Sequence, residues 1–339
     1  GILTFTKHLY AENGTTRISN ANAGDISFTF RLYLGTENDT NIPLANMHSY
    51  HVKDPNGYYC KWVSGTGFVS LDKKDYDHLS DDEKLAATFI TSMNGSIDKI
   101  PVDYTVEVRE IPAGTKYKVE ERYRELPDGY SLLRYSVYNS NTQGYEATGN
   151  DGKDIPQGVI SAVNQNAVII DNMKGWGLRV HKVWSDDEWM QDRDPVYFAL
   201  YTNVNNTLTM ISNTVTRLAY GESSAYWFIQ TLQDCNNDRQ IDESDFAYYE
   251  VREVTISNSN PTVDSDTGLV SNPETVTALN VNDTITIQGT QIGESSRESY
   301  TYAIMGYDTG TLSNGSNVRE DTITNKRAGI ELYKTEWDG

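Results

Sequence analysis

Three short runs alternate in polarity and end on lysine: Leu3-Thr4-Phe5-Thr6-Lys7, Leu178-Arg179-Val180-His181-Lys182 and Ile330-Glu331-Leu332-Tyr333-Lys334. Side chains on a strand alternate between faces, so each lysine shares a face with two apolar residues. An unpaired ammonium on a buried face is costly, and something must neutralise or consume that amine. Further runs offer partners of matching parity. Tyr117-Lys118-Val119-Glu120-Glu121 and Tyr249-Glu250-Val251-Arg252-Glu253 turn tyrosine, valine and the final glutamate to one face and turn Glu120 and Glu250 outward. Val168-Ile169-Ile170-Asp171-Asn172 and Asp321-Thr322-Ile323-Thr324-Asn325 close on an asparagine that shares its face with an isoleucine.

Each half of the chain therefore directs one lysine, one glutamate and one asparagine into its core: Lys7, Glu121 and Asn172, then Lys182, Glu253 and Asn325. Desolvation favours the neutral amine and the neutral acid. The amine is a nucleophile, and the acid can polarise an amide carbonyl and shuttle protons. Beside the asparagine carboxamide, the pair can attack its carbon, release ammonia and leave a Lys-Asn isopeptide bond. That event happens once per domain and is not enzymatic turnover. A plainer reading has the lysines snorkelling at strand ends and the asparagines opening turns. Two matched sets in register favour the cross-link.

The elements that must position these groups also recur. Phe28-Thr29-Phe30-Arg31-Leu32-Tyr33 is answered by Val196-Tyr197-Phe198-Ala199-Leu200-Tyr201, both alternating like half-buried strands. Short strands between Gly, Asn, Asp and Pro clusters predict an all-β chain of antiparallel, immunoglobulin-like sandwiches in tandem. The boundaries read as 1–175 and 176–327, with 328–339 as the first strand of a truncated third domain. Ser80-Asp81-Asp82-Glu83 is a capping box ahead of an amphipathic run, which predicts one short helix in an insertion around 72–100 of the first domain. The joints, Met173 to Gly177 and Lys326 to Gly329, are too short for flexible tethers and predict a stiff, end-to-end rod.

These residues resemble the CnaB (SpaA-like) domains of Gram-positive pilins and adhesins, over nearly the whole chain. In that family a lysine ends the first strand, an acid closes a Tyr-x-Val-x-Glu run, and an asparagine closes the last strand, which matches Lys7, Glu121 and Asn172, and Lys182, Glu253 and Asn325. Ile111-Pro112-Ala113-Gly114-Thr115 ahead of Tyr117 is similar too, as is Lys182-Val183-Trp184 with its acidic loop to Arg193-Asp194-Pro195. The first domain departs from the pattern in its insertion and in its Asp-Asn-Met-Lys ending. The resemblance implies self-formed cross-links and a stalk or pilin segment at the cell surface or cell wall of a Gram-positive bacterium. Its partners are then the adjacent domains of the same protein.

Bulk properties fit that picture. The chain has 339 residues, long enough for two domains, and a formal net charge of -20 that argues against nucleic acid as a partner. No run approaches the roughly 18 apolar residues of a membrane helix, so no membrane contact is expected from this segment, and no signal-peptide layout opens it. The chain stops soon after the third lysine run and reads as a fragment of something longer. Cys60 and Cys235, one in each half, do not form a disulfide framework.

Weaker signals remain. The cross-link needs no cofactor, but Asp234, Asn236, Asp238, Gln240, Asp242 and Asp245 are spaced as ligands of a calcium loop, with Arg239 where glycine is wanted. The alternative to calcium is a polar hairpin. Cys60 lacks a partner glutamine motif for a thioester and reads as a free thiol. The rival function is a binding module for host glycan or matrix protein, with Tyr58, Tyr59 and Trp62 of the first domain as contacts.

Overall fold

The computed structural model describes residues 1–312 and 316–328. The third lysine run and the strand expected after Ala328 lie outside the described residues. The chain divides into two compact units, Gly1–Gly175 and a second that begins at Trp176. Each is an immunoglobulin-like sandwich of two β-sheets.

In unit 1 the first strand, Leu3–Tyr10, shows strict alternation: Leu3, Phe5, Lys7 and Leu9 are buried, and the residues between them are half-exposed. It lies in a sheet ordered Gly144–Ala147, Tyr130–Asn139, Asn166–Lys174, Leu3–Tyr10, Thr105–Val108, Ser49–Lys53 and Phe89–Ile90. The facing sheet runs Gln157–Val159, Lys116–Glu120, Ser27–Gly35 and Ser96–Pro101. Between them lie Phe5, Phe28, Phe30, Val119 and Ile170, with the Phe5 and Phe30 rings edge to face at 5.5 Å. Burying a Phe or Ile side chain contributes about 1.5–3 kcal/mol, so these inward positions hold the sheets together.

Unit 2 repeats the central order. Arg297–Asp308, Val318–Arg327, Trp176–Trp184 and Ser224–Ile229 are neighbours in one sheet, and Val196–Val204 pairs with Tyr249–Ile256 in the other. In both units the first and last strands pair in parallel, Leu3–Tyr10 with Asn166–Lys174 and Trp176–Trp184 with Val318–Arg327. The expectation of purely antiparallel sandwiches fails there. Period-two alternation reports which face a residue takes and nothing about strand direction.

Unit 1 carries extra elements between Ser27–Gly35 and Ser96–Pro101: the strand Ser49–Lys53, a hairpin of Cys60–Val63 with Gly67–Ser70, the helix Asp81–Ala86 and the short strand Phe89–Ile90. The added segment thus begins before residue 72. Ser80 caps the helix as expected: its Oγ accepts from Glu83 N at 3.3 Å, and Glu83 Oε2 accepts from Ser80 N at 2.8 Å. The helix is shorter than its apolar run, because Phe89–Ile90 leaves it to pair with Ser49–Lys53. It is also not alone, since Asn20–Ala23 and Glu243–Phe246 each form a helical turn. The segment is tied to the sheet by buried Glu107, which accepts from Lys53 Nζ at 2.7 Å, Tyr59 Oη at 2.5 Å and Arg109 Nη1 at 3.0 Å. Among the described residues no helix is long and apolar enough to cross a membrane.

Candidate functional site

Lys7 and Lys182 both point between the sheets, and the side chain of each is 0% exposed. Each amine meets the predicted acid. Lys7 Nζ donates to Glu121 Oε1 at 2.9 Å, and Lys182 Nζ donates to Glu253 Oε2 at 2.7 Å. Two aromatic rings stand beside each amine: the ring centroids of Phe28 at 4.2 Å and Phe30 at 5.7 Å from Lys7 Nζ, and of Trp184 at 4.5 Å and Phe198 at 5.9 Å from Lys182 Nζ. Burial pushes both amines down from the ordinary 10.5 to about 8, while the neighbouring glutamate pulls each back upward.

The asparagines arrive on the last strand, and register fixes their place. Lys7 is opposite Ile170 and Leu9 is opposite Asn172, while Lys182 is opposite Ile323 and Trp184 is opposite Asn325. In both units the asparagine therefore lies two residues beyond the lysine's partner, on the same face, a diagonal a lysine side chain can span. Asn172 and Asn325 are fully buried. In unit 2, Asn325 Nδ2 donates to Glu253 Oε1 at 3.1 Å, so one carboxylate bridges amine and carboxamide. In unit 1, neither Asn172 amide atom nor Glu121 Oε2 has a hydrogen-bond partner, and Asn325 Oδ1 has none in unit 2. A buried polar atom left unpaired costs about 1–3 kcal/mol. A new bond at the carboxamide carbon removes the Nδ2 atom altogether. Glu120 and Glu250 are half-buried off this site, with Glu120 accepting from Tyr33 Oη at 2.6 Å and Glu250 from Arg252 Nε at 2.6 Å.

Two features escape reading along the sequence. The strand beside the last one carries a β-bulge in both units, between Leu132 and Arg134 and between Ile304 and Gly306, and each bulge falls where that strand passes the asparagine. Bulges re-aim side chains next to such sites. Three residues past Leu132 and Ile304, Tyr135 is opposite Ile170 and Tyr307 is opposite Ile323, giving one Lys-Ile-Tyr row per unit. Tyr135 Oη accepts from Glu121 N at 3.0 Å and donates to Glu121 O at 3.3 Å. Tyr307 Oη donates to Leu279 O at 2.8 Å, and Leu279 N donates to Glu253 O at 2.9 Å. A tyrosine thus steadies the backbone of the acid or its partner strand. Repetition of tyrosine three residues past a bulge has no sequence signature, because the bulge itself has none.

Five of the six calcium-loop side chains accept from backbone N–H groups of the loop itself, and Asp234 Oδ1 is buried without a hydrogen-bond partner. Asp245 Oδ1 accepts from Cys235 N and Asn236 N and its Oδ2 from Asp242 N, as the cap of the Glu243–Phe246 turn. Asp234 Oδ2 accepts from Arg239 N, Asn236 Oδ1 from Asp238 N, Asp238 Oδ1 from Gln240 N, and Asp242 Oδ1 from Ser244 N. Arg239 takes φ +69, the left-handed conformation for which glycine is favoured there. Among the described residues, no group of three or more His, Cys, Asp or Glu is placed to hold a metal ion.

No family model matches the chain, and no curated protein sequence matches it. Among solved structures, it is similar to the pilus-presented adhesin Spy0125 (Cpa), at 12% identity and TM-score 0.24 over 51% of this chain. The chain spans 27% of that adhesin's length. It is also similar to the shaft pilin SpaA from Lactobacillus rhamnosus GG, at 11% identity and TM-score 0.17, covering 97% of this chain and 98% of the pilin. The major pilin from Streptococcus pyogenes is similar at 12% identity and TM-score 0.19, covering 96% of this chain and 97% of that one.

Proposed function

We propose that each unit closes one isopeptide bond, Lys7 to Asn172 and Lys182 to Asn325, and that the chain is a mechanically reinforced segment of a bacterial surface protein, a stalk or pilin element. The reading is carried by the bridge in unit 2, where Glu253 holds the Lys182 amine and the Asn325 carboxamide together away from water. Unit 1 supports it by the same register and the same buried residue types.

In the reaction the ammonium first gives a proton to the glutamate across their hydrogen bond. The neutral Nζ then attacks the asparagine Cγ. The new C–N bond forms as the Cγ–Nδ2 bond breaks: the glutamate passes its proton to the departing nitrogen, which leaves as ammonia, and takes up the second proton that Nζ sheds on becoming the amide N–H. Oδ1 stays as the carbonyl oxygen of the new amide, and no oxidant, metal or cofactor enters the balance. Aromatic walls keep water from the site and leave the amine a stronger nucleophile. Once closed, the bond encloses nearly the whole unit between its first and last strands. Load applied at the ends then runs through a covalent amide.

Such a segment works by holding its neighbours at a distance, and its partners are the adjoining domains of the same surface protein. A binding role for the unit 1 hairpin is the second reading: Trp62 is 43% exposed beside Phe68 and Lys99, whereas Tyr59 is buried and cannot touch a ligand. Pulling single molecules from the two ends tests the stalk function. Closed units give no extension from the residues between each lysine and its asparagine. Release of the full contour length of either unit contradicts it.

A further inference from the structure

Parity sets the face a residue takes but not its place along the strand. A strand that slips by one residue turns its inward side chains outward, whereas a slip of two residues, about 6.6 Å, keeps every face as it was. The buried residues of the last strand of unit 2, Val318–Arg327, are Arg319, Asp321, Ile323 and Asn325, of which only Ile323 is apolar. Apolar burial therefore separates poorly two registers that differ by two residues. Such a slip carries Asn325 away from the diagonal to Lys182.

Arg319, 3% exposed, ties this strand to the facing sheet. Its Nε and Nη2 donate to the two oxygens of Asp321 at 2.9 Å each, Nη1 donates to Phe246 O at 2.8 Å, and Nη2 donates to Tyr249 O at 2.5 Å. Tyr249 opens the acid's own strand, Tyr249–Ile256, which carries Glu253. A buried guanidinium cannot shed its proton and needs acceptors for its rigid fork of donors. A slip of two residues in either direction parts the fork from both carbonyls. Asn166 holds the matching place in unit 1: it is opposite Leu3 as Arg319 is opposite Leu178, and each precedes its reacting asparagine by six residues. Asn166 is 9% exposed, its Nδ2 donates to Ile2 O and Ser161 O at 3.0 Å each, and its Oδ1 accepts from Ser161 N at 2.8 Å. Different residue types thus put a buried polar clamp at one register position.

We propose that Arg319 and Asn166 are positioning residues for the two cross-links: each fixes the register of its last strand and so sets the asparagine on the diagonal to the lysine before the bond closes. The inference rests on the isopeptide reading above. Setting register is the best-attested use of a buried polar group, and here the register decides which residue the amine meets.

The test follows the full chain made by cell-free translation, quenched in acid at intervals, digested and read by mass spectrometry. R319M slows the Lys182-Asn325 branch at least about tenfold and leaves Lys7-Asn172 unchanged, and N166L does the reverse. Register is read separately in the N325A chain, from disulfides between outward positions. V183C/T324C matches the present pairing, and V183C/T322C and V183C/K326C match slips of two residues. With Arg319 in place only V183C/T324C oxidises, and with R319M one of the slipped pairs oxidises too. If R319M leaves unit 2 unfolded, N166L in the N172A chain decides the matter, with T6C/I169C set against T6C/A167C and T6C/D171C. Bond formation at the wild-type rate overturns the proposal. So does slow formation with the native pair alone oxidised, which marks a merely structural role. Absence of both branched peptides from the wild type sinks the isopeptide reading instead, while the cysteine pairs still report the register.

Discussion

Asn172 sits two residues past the register partner of Lys7 on a parallel neighbour, and Asn325 stands in the same relation to Lys182. Two units with different loops, different insertions and different rings around the amine keep this diagonal. Parallel pairing brings the first and last strands together, and the shared offset brings the amine and the carboxamide to one face.

Removing an asparagine should expose the cost of the buried amine. Each amine has a folded pKa of about 8 against an ordinary 10.5, so between those values the unfolded chain holds a proton that the folded chain lacks. Stability then rises with pH across that window. N172A and N325A keep the amine free, and each should gain on the order of 3 kcal/mol from pH 8 to pH 10.5, read by urea unfolding. The cross-linked chain has no such amine to titrate and should lack the rise. A wild type that gains as much as the variants contradicts the bond.

Loss of an acid should act within its own unit. E253A leaves Lys182 and Asn325 buried without their shared partner, and E121A leaves Lys7 alone. Breaking a buried pair costs about 3–5 kcal/mol, and loss of the loop closure adds roughly 5 kcal/mol by analogy with a disulfide. Calorimetry should show one transition moved to lower temperature by each variant, with the other transition in place. Movement of both transitions by one substitution would rule out independent sites.

Tyr135 should matter through its hydroxyl. Y135F removes the hydrogen bonds to the Glu121 backbone and should cost about 1 kcal/mol while slowing bond formation in unit 1 alone. The check is the time course of the Lys7-Asn172 branched peptide, and an unchanged rate contradicts a steadying role.

Cys60 should be inert in the folded chain. It is fully buried, and burial pushes its thiol up to about 12. Iodoacetamide at pH 8 should leave it unmodified until urea unfolds unit 1. Rapid native labelling would contradict the burial.

Parity alone placed Lys7, Glu121, Asn172 and their unit 2 counterparts on buried faces, because a period of two survives whatever the sheets do. The helix start at Ser80 was legible for a similar reason: a capping box is local chemistry. What lay hidden depends on contacts between distant residues. The parallel pairing of first and last strands, the bulges opposite Asn172 and Asn325, and the row that puts Tyr135 and Tyr307 beside the lysines arise only when strands meet. Where the helix ends was not legible, because Phe89–Ile90 pairs with a strand, and tertiary pairing overrides a weak local preference. The calcium spacing was legible as a row of oxygens, and the backbone N–H groups that bond five of those side chains become visible only once the loop is folded.

Intact mass under denaturing conditions tests the central claim most directly. Each bond expels one ammonia, so the purified chain should weigh about 34 Da less than its sequence, and N325A or N172A should each recover about 17 Da of that deficit beyond the substitution itself. A wild-type chain at its full sequence mass would contradict the cross-links and, with them, the reinforced stalk.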